Sequence, residues 1–324
     1  MRIRPAAALT GALIGMSALF LSPAAARAEQ ADHVDRVDHL DHANDADQVT
    51  DQSRHTVTVA HRGASAYAPE NTLAAVDAAD DLGITWVEND VQRTKDGELI
   101  VMHDTTLNRT TDVEEVFPDR APWKISDFTL DEIQQLDAGS WFSPKFAGEG
   151  VPTLEDYLDR VEHNHQKLLL ELKAPELYPD IERQTLRELR RAGWLDRRHV
   201  QHKLIVQSFG ADAVKQVHDL RPDVKTGFLG TPAVEDLETY AEFADQINPS
   251  YKTIDADYVD AVHEVDGAHG RPFEVYAWTV NDAQTAVDVA HMGVNGIITN
   301  NPDVVRDALE DAGYEVPGAP AAVS

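Results

Sequence analysis

The sequence predicts an α/β protein folded as a (β/α)8 TIM barrel with a small insertion after its second strand, and three observations carry that prediction. Eight short apolar, β-rich runs recur along the chain; most are followed by a stretch with apolar residues at helical spacing; and the pattern holds from residue 57 to residue 311. Strands that alternate with helices in this way make a mainly parallel sheet with its helices outside. A doubly wound open sheet gives the same pattern, since alternation alone does not show closure.

The strand runs are 57–60, 86–91, 168–172, 204–207, 225–229, 246–248, 274–278 and 296–299, rich in Val, Ile, Leu and aromatic residues. The helical stretches are 71–82, 154–164, 178–192, 211–220, 234–243, 256–265, 282–291 and 302–311. Between the second strand and its helix the chain is too long for a simple connection. It carries a further apolar run at 99–102 and then, over about 105–150, turn residues with Trp123, Phe128, Trp141 and Phe142. An insertion on the face that bears barrel active sites accounts for this stretch, and its aromatics are expected to pack it.

The barrel is expected to span residues 55–315, with other material on either side. Arg2 and Arg4 precede an uncharged apolar run from 6 to 21 and a small-residue exit ending Ala26-Arg27-Ala28, the layout of a signal peptide over 1–28. A membrane anchor is the alternative, but the run is shorter than the ~20 residues that cross a bilayer. Export to the periplasm or the extracellular medium follows, with no stable membrane insertion once the signal is removed. The chain has no cysteine, which excludes lipidation at the cleavage site and disulfide stapling. Residues 29–54 are rich in Asp and His and poor in apolar groups, so they are expected to form a disordered leader in which His33, His39 and His42 hold metal only weakly. Residues 316–324 are expected to be a flexible tail. A formal charge of −29 on 324 residues argues against nucleic acid as partner.

Barrel active sites lie at the C-terminal ends of the strands. There the sequence places His61-Arg62 after the first strand, Glu88 and Asp90 on the second, His103 after the extra run, Glu171 and Lys173 on the third, and Trp278 on the seventh. Residues two apart on a strand share a face, so Glu88 projects with Asp90 and Glu171 with Lys173. Three converging carboxylates suit one divalent cation, and oxygen-only ligation favours Ca²⁺ or Mg²⁺ over zinc. A salt-bridge network, with Lys173 and Arg62 neutralising the acids, is the alternative. Arg62 and Lys173 make a cradle for phosphate, and His61 and His103 are titratable near neutral pH as general acid and base. The combination points to metal-assisted phosphoryl transfer.

These residues fall in ordered motifs: His61-Arg62-Gly63, Pro69-Glu70-Asn71-Thr72, Glu88-Asn89-Asp90-Val91, Thr94-Lys95-Asp96-Gly97, and His103-Asp104 with Leu107-Asn108-Arg109-Thr110. Pro152-Thr153-Leu154, Leu170-Glu171-Leu172-Lys173, Gln207-Ser208-Phe209, Ala277-Trp278-Thr279-Val280-Asn281 and Gly296-Ile297-Ile298-Thr299-Asn300 continue the series. From 57 to 312 the chain closely resembles the glycerophosphodiester phosphodiesterases. The resemblance implies a barrel with a small subdomain inserted after strand two, and hydrolysis of glycerophosphodiesters, small molecules, to glycerol 3-phosphate and an alcohol. It implies Glu88, Asp90 and Glu171 as ligands of one divalent cation, Ca²⁺ ahead of Mg²⁺; His61 and His103 as the acid/base pair; Arg62 and Lys173 as phosphate contacts; and Trp278 as a wall beside the glycerol. Glu70 and Asn71 match a motif that helps build the site, with Glu70 suited to orient Arg62; the alternative is capping of the first helix, for which Asn71 is a good N-cap type. Gln207 orients a neighbouring group or meets substrate.

Two relatives in function use the same groups, a lysophospholipase D and a teichoic-acid phosphodiesterase; an inert barrel that binds cations or polymers is a more remote alternative. The nucleophile is water or the substrate's own glycerol 2-hydroxyl. Asn295 and Asn300 stand where the family commonly has Asp, and the expected consequence is confined to local support of the last strand.

Overall fold

The computed structural model describes residues 55–316, and its nine strands form one sheet. They are β1 (Val57–Ala60), β2 (Trp86–Arg93), β3 (Leu99–Val101), β4 (Lys167–Leu172), β5 (Leu204–Ser208), β6 (Lys225–Leu229), β7 (Gln246–Asn248), β8 (Glu274–Ala277) and β9 (Gly296–Thr299). Neighbours pair in parallel from β4 round to β9, and β1 pairs with both β9 (Ala60 with Thr299) and β2 (Val59 with Trp86). That double pairing closes an eight-stranded parallel barrel and excludes the open sheet. β3 is the ninth strand and runs antiparallel to the far end of β2, Val91 opposite Val101. The expected signal peptide, the Asp/His leader and all of the expected tail except Val316 lie outside the described residues. Among the described residues no helix is long and apolar enough to cross a membrane.

Alternation along each strand sorts its side chains between two cores. Val57, Val59, Trp86, Leu169, Ile205, Tyr276 and Ile298 fill the barrel interior. Tyr276 fits there because its partner in the next strand is Gly296, where a Cβ would lie 2.7–2.8 Å from the tyrosine ring. Val87, Val91, Leu168, Leu170, Val206, Val275 and Ile297 face outward and pack under helices such as Leu154–His163, Ala211–Leu220 and Pro302–Asp311.

The helices outside segment 105–150 follow the predicted stretches, with two differences. The helix Arg197–His202 was not expected: it is short, polar at every position but Val200 and buries only His199 and Val200, so it has no apolar stripe to read. The first helix runs Leu73–Asp81 and is capped by Thr72, whose side chain accepts from the Ala75 N–H. Asn71 is therefore not its cap.

Segment 105–150 builds a core of its own under β3. Ile100, Met102, Leu107, Val113, Ile125, Phe128 and Ile133 are buried together, with Trp123 packed against them. Trp141, Phe142 and Phe146 contact one another edge to face. Phe128 and Trp123 thus pack the segment, as the sequence suggested, whereas Trp141 is exposed; none of these aromatics lines the pocket at the ends of β1, β2 and β4.

Candidate active site

The site forms where β1, β2 and β4 end. Past Ala60 the chain turns sharply, with Arg62 and Gly63 both at positive φ (58° and 76°). Gly63 crosses so close to the first helix that a Cβ would lie 2.6 Å from the Ala75 backbone, so only glycine passes there. This turn aims the Arg62 N–H at Glu88 Oε2, 2.9 Å away, and swings its guanidinium back between Glu70 and Asp90.

Strand register then gathers the carboxylates. Glu88 and Asp90 share one face of β2, and Asp90 lies directly opposite Glu171 in β4. Each offers an oxygen within 4.8 Å of the other two, and all three residues are at most 5% exposed. Lys173 sits 2.8 Å from Glu171 and 3.3 Å from Asp90. Burial together with the charges of Asp90 and Glu171 pushes Glu88 well above the usual carboxylate range. Burial and the Asp90 charge lift Glu171 to about 8, only partly offset by Lys173. Asp90 goes the other way: burial opposes its ionisation, but the Lys173 and Arg62 charges outweigh it and hold the group below its ordinary value.

Asn71, also at positive φ (61°), donates its amide N–H to Asp90 Oδ2 at 2.8 Å and accepts from the Asp90 backbone N–H at 3.3 Å. Its place is behind the carboxylate, not at the helix cap. Glu70 accepts from Arg62 at 2.8 Å, the orientation the sequence suggested.

The two histidines are held in different ways. His61 Nδ1 lies 2.6 Å from Asn300 Oδ1, at the end of β9. An amide oxygen only accepts, so Nδ1 carries the hydrogen and the Nε2 lone pair is free. Burial and the neighbouring Arg62 charge lower the His61 pKa to about 4. His103 Nδ1 lies 2.7 Å from Asp104 Oδ1, a carboxylate. Burial, with the charges of Arg62 and Lys173, still holds His103 below the ordinary histidine value, against the pull of Asp90 and Asp104. Asn300 thus touches the site itself, which corrects the expectation that its replacement of Asp affects only strand support. Asn295 does serve strands, accepting from the Val275 N–H at 2.7 Å.

The remaining wall is neutral. Gln207, opposite Glu171 in register, accepts from Asn248 Nδ2 at 2.9 Å. Trp278 donates its indole N–H to the Asn248 carbonyl at 2.8 Å and meets Phe209 edge to face at 5.7 Å. His61, Arg62, Glu88, His103, Glu171, Lys173, Gln207 and Trp278 all line one pocket of about 410 Å³, open mouth included. Asp90, Glu70 and Asn71 stand behind that lining.

Sequence reasoning gave no role to Asp104, Arg109, Gln92 or Asn248. The first two lie inside the quoted motifs, where an acid next to a site histidine was a readable signal. Gln92 continues the Glu88/Asp90 face and points its amide nitrogen at the Met102, His103 and Asp104 carbonyls at 2.7, 3.0 and 2.8 Å, so it shapes the turn that bears His103. Asn248 gave no local signal.

Comparison with known proteins agrees with this geometry. Residues 61–304 match the glycerophosphoryl diester phosphodiesterase family. A glycerophosphodiester phosphodiesterase of Bacillus subtilis is 35% identical over 265 residues, covering 76% of this chain and 84% of the relative. One from Caldanaerobacter subterraneus is 32% identical over 266 residues, covering 80% and 99%. An Oleispira antarctica phosphodiesterase, solved with its product sn-glycerol-3-phosphate, superposes with a TM-score of 0.67 at 28% identity, covering 79% of this chain and 97% of that one. With a closed barrel, the motifs in order and relatives matched over nearly their whole length, the chain belongs to the glycerophosphoryl diester phosphodiesterase family and is a phosphodiesterase of that kind.

Proposed function

We propose that the protein hydrolyses glycerophosphodiesters to sn-glycerol 3-phosphate and an alcohol with the help of one divalent cation held by Glu88, Asp90 and Glu171. The observation that carries this reading is the buried carboxylate triad set against Arg62 and Lys173, with His61 and His103 lining the same pocket. The donor set fits a hard cation: it is all oxygen and buried, and two of the three acids resist ionisation even with Lys173 2.8 Å from Glu171 Oε1 and 3.3 Å from Asp90 Oδ1. A bound Ca²⁺ or Mg²⁺ supplies charge stabilisation to the phosphoryl oxygens.

The chain's own residues do the rest. Arg62 and Lys173 bind the phosphodiester, the guanidinium by its fork and the ammonium as a point charge. His61, neutral and with Nε2 free, takes a proton from the attacking oxygen, whether that belongs to water or to the glycerol 2-hydroxyl. A new P–O bond forms, the bond to the leaving alcohol breaks, and His103 hands that alcohol a proton; where the 2-hydroxyl attacks, the product is a cyclic phosphate, which water then opens to glycerol 3-phosphate with the two histidines in exchanged roles. Asp104 stabilises the imidazolium this role needs, and a bound phosphodiester anion lifts His103 further by offsetting Arg62 and Lys173. Trp278 walls the glycerol side.

Purified protein assayed on glycerophosphocholine should release glycerol 3-phosphate, lose that activity on chelation and regain it with Ca²⁺ or Mg²⁺. Full activity after rigorous metal removal would exclude the cation. Turnover confined to lysophospholipids or teichoic acid would transfer the same chemistry to a larger substrate.

A further inference from the structure

Arg109 lies outside the pocket lining, yet it joins two parts of the site. Its Nε and Nη2 donate to Asp104 Oδ2 and Oδ1 at 2.6 and 3.0 Å, and its Nη1 and Nη2 donate to Glu70 Oε2 and Oε1 at 2.8 and 2.7 Å. Asp104 in turn holds His103, and Glu70 holds Arg62. A side-on fork to Asp104 and an end-on fork to Glu70 on one planar group use most of the five N–H donors of a guanidinium, an arrangement that an ammonium cannot reproduce.

The other end of this side chain is anchored in the core of segment 105–150. Leu107 is fully buried and its N–H donates to the Trp123 carbonyl at 2.9 Å; the Thr111 hydroxyl donates to the Leu107 carbonyl at 2.7 Å. The backbone under Arg109 therefore moves only if that core moves. An ordinary ion pair with a side chain 41% exposed contributes little to stability, and its loss would leave kinetics alone. Here both carboxylates have their other oxygen contacts on site residues, so loosening the guanidinium loosens a histidine and an arginine at once.

We propose that Arg109 is a positioning residue that locks the His103 arm to the Arg62 arm, making the core of segment 105–150 the frame for both. The proposal rests on the reading above, in which His103 transfers a proton and Arg62 binds phosphate.

The test is steady-state kinetics on glycerophosphocholine for Arg109→Ala, Arg109→Lys, Asp104→Asn, Glu70→Gln and the double variant Arg109→Ala/Asp104→Asn, each checked for folding by circular dichroism. Arg109→Ala should lower kcat and raise KM, each roughly tenfold. Asp104→Asn should reproduce mainly the loss in kcat, and Glu70→Gln mainly the rise in KM. Arg109→Lys should not restore activity, and the double variant should lose no more kcat than the worse of its two parents, as expected for groups that act in series. Kinetic constants within twofold of wild type in folded Arg109→Ala, or fully additive losses in the double variant, would overturn the proposal. If Arg109→Ala fails to fold, Arg109→Lys decides: wild-type constants there would overturn it equally. His103→Ala separates the two ideas, because substantial activity in that variant sinks the functional reading, whereas an inactive His103→Ala beside an unperturbed Arg109→Ala sinks only the locking role.

Discussion

His61 and His103 reach one pocket from regions of opposite character. His61 sits at the seam where β9 closes on β1, and what that region gives it is an amide, Asn300. His103 sits beyond β3, on the arm that leads into segment 105–150, and that region gives it a carboxylate, Asp104, itself gripped by Arg109. A neutral acceptor fixes the tautomer without favouring protonation, whereas an anionic one favours the imidazolium. The same side chain is thereby prepared for two different proton tasks by what lies behind it.

Substituting each histidine in turn gives the largest effect expected from this difference. His61→Ala and His103→Ala should each lower kcat on glycerophosphocholine by ~10²–10⁴. The two losses should then separate on a substrate with a good leaving group, such as a nitrophenyl ester of glycerol phosphate. A leaving group that departs without a proton has no use for the acid, so His103→Ala should recover most of its activity. His61→Ala should not, because the nucleophile still has to lose its proton. Rescue of His61→Ala alone would reverse the assignment, and rescue of both or neither would deny that the two regions prepare different roles.

A smaller effect follows from exchanging the amide for an acid. With the His61 pKa lowered to about 4, the base stays neutral well below the ordinary histidine range, so the acid limb of kcat/KM should lie below pH 6.5. Asn300→Asp places a carboxylate 2.6 Å from Nδ1 and stabilises the protonated ring. The pKa rises, the base is protonated at higher pH, and the acid limb moves upward by about one unit or more. Maximum kcat/KM on the plateau should change much less. A pH profile that superposes on wild type would show that the partner of His61 does not set its charge.

How much could be read beforehand also divides along these regions. Charged chemistry was legible because it is local: Glu88 with Asp90, and Glu171 with Lys173, announce a shared face through their spacing of two, and the periodicity of the strands located them at a barrel mouth. Closure of the barrel was not legible, since it depends on pairing between residues more than 200 apart, such as Val57 and Gly296. The same distance hid Asn300, whose partner lies 239 positions away in sequence and whose amide gives no signal of its own. Asn71 was open between site building and a helix cap because its type suits both; the positive φ that turns it toward Asp90 and decides between them is set by the fold around it.

The smallest effect belongs to the neutral wall on the seam side. Trp278 is fixed by its N–H on the Asn248 carbonyl and by Phe209 at its edge, and it carries no charge and no titratable group. Its contribution to substrate is contact area, made alike in the ground state and the transition state. Removing uniform binding raises KM and leaves kcat alone. Trp278→Ala should therefore raise KM for glycerophosphocholine roughly fivefold, about 1 kcal/mol, with kcat unchanged within a factor of about two. Trp278→Phe keeps an apolar ring but loses the hydrogen bond that holds it, so its KM should fall between the two. A large drop in kcat for Trp278→Ala would mean that the indole acts on the reacting centre, and the division between a charged arm and a neutral, shape-giving seam would no longer hold.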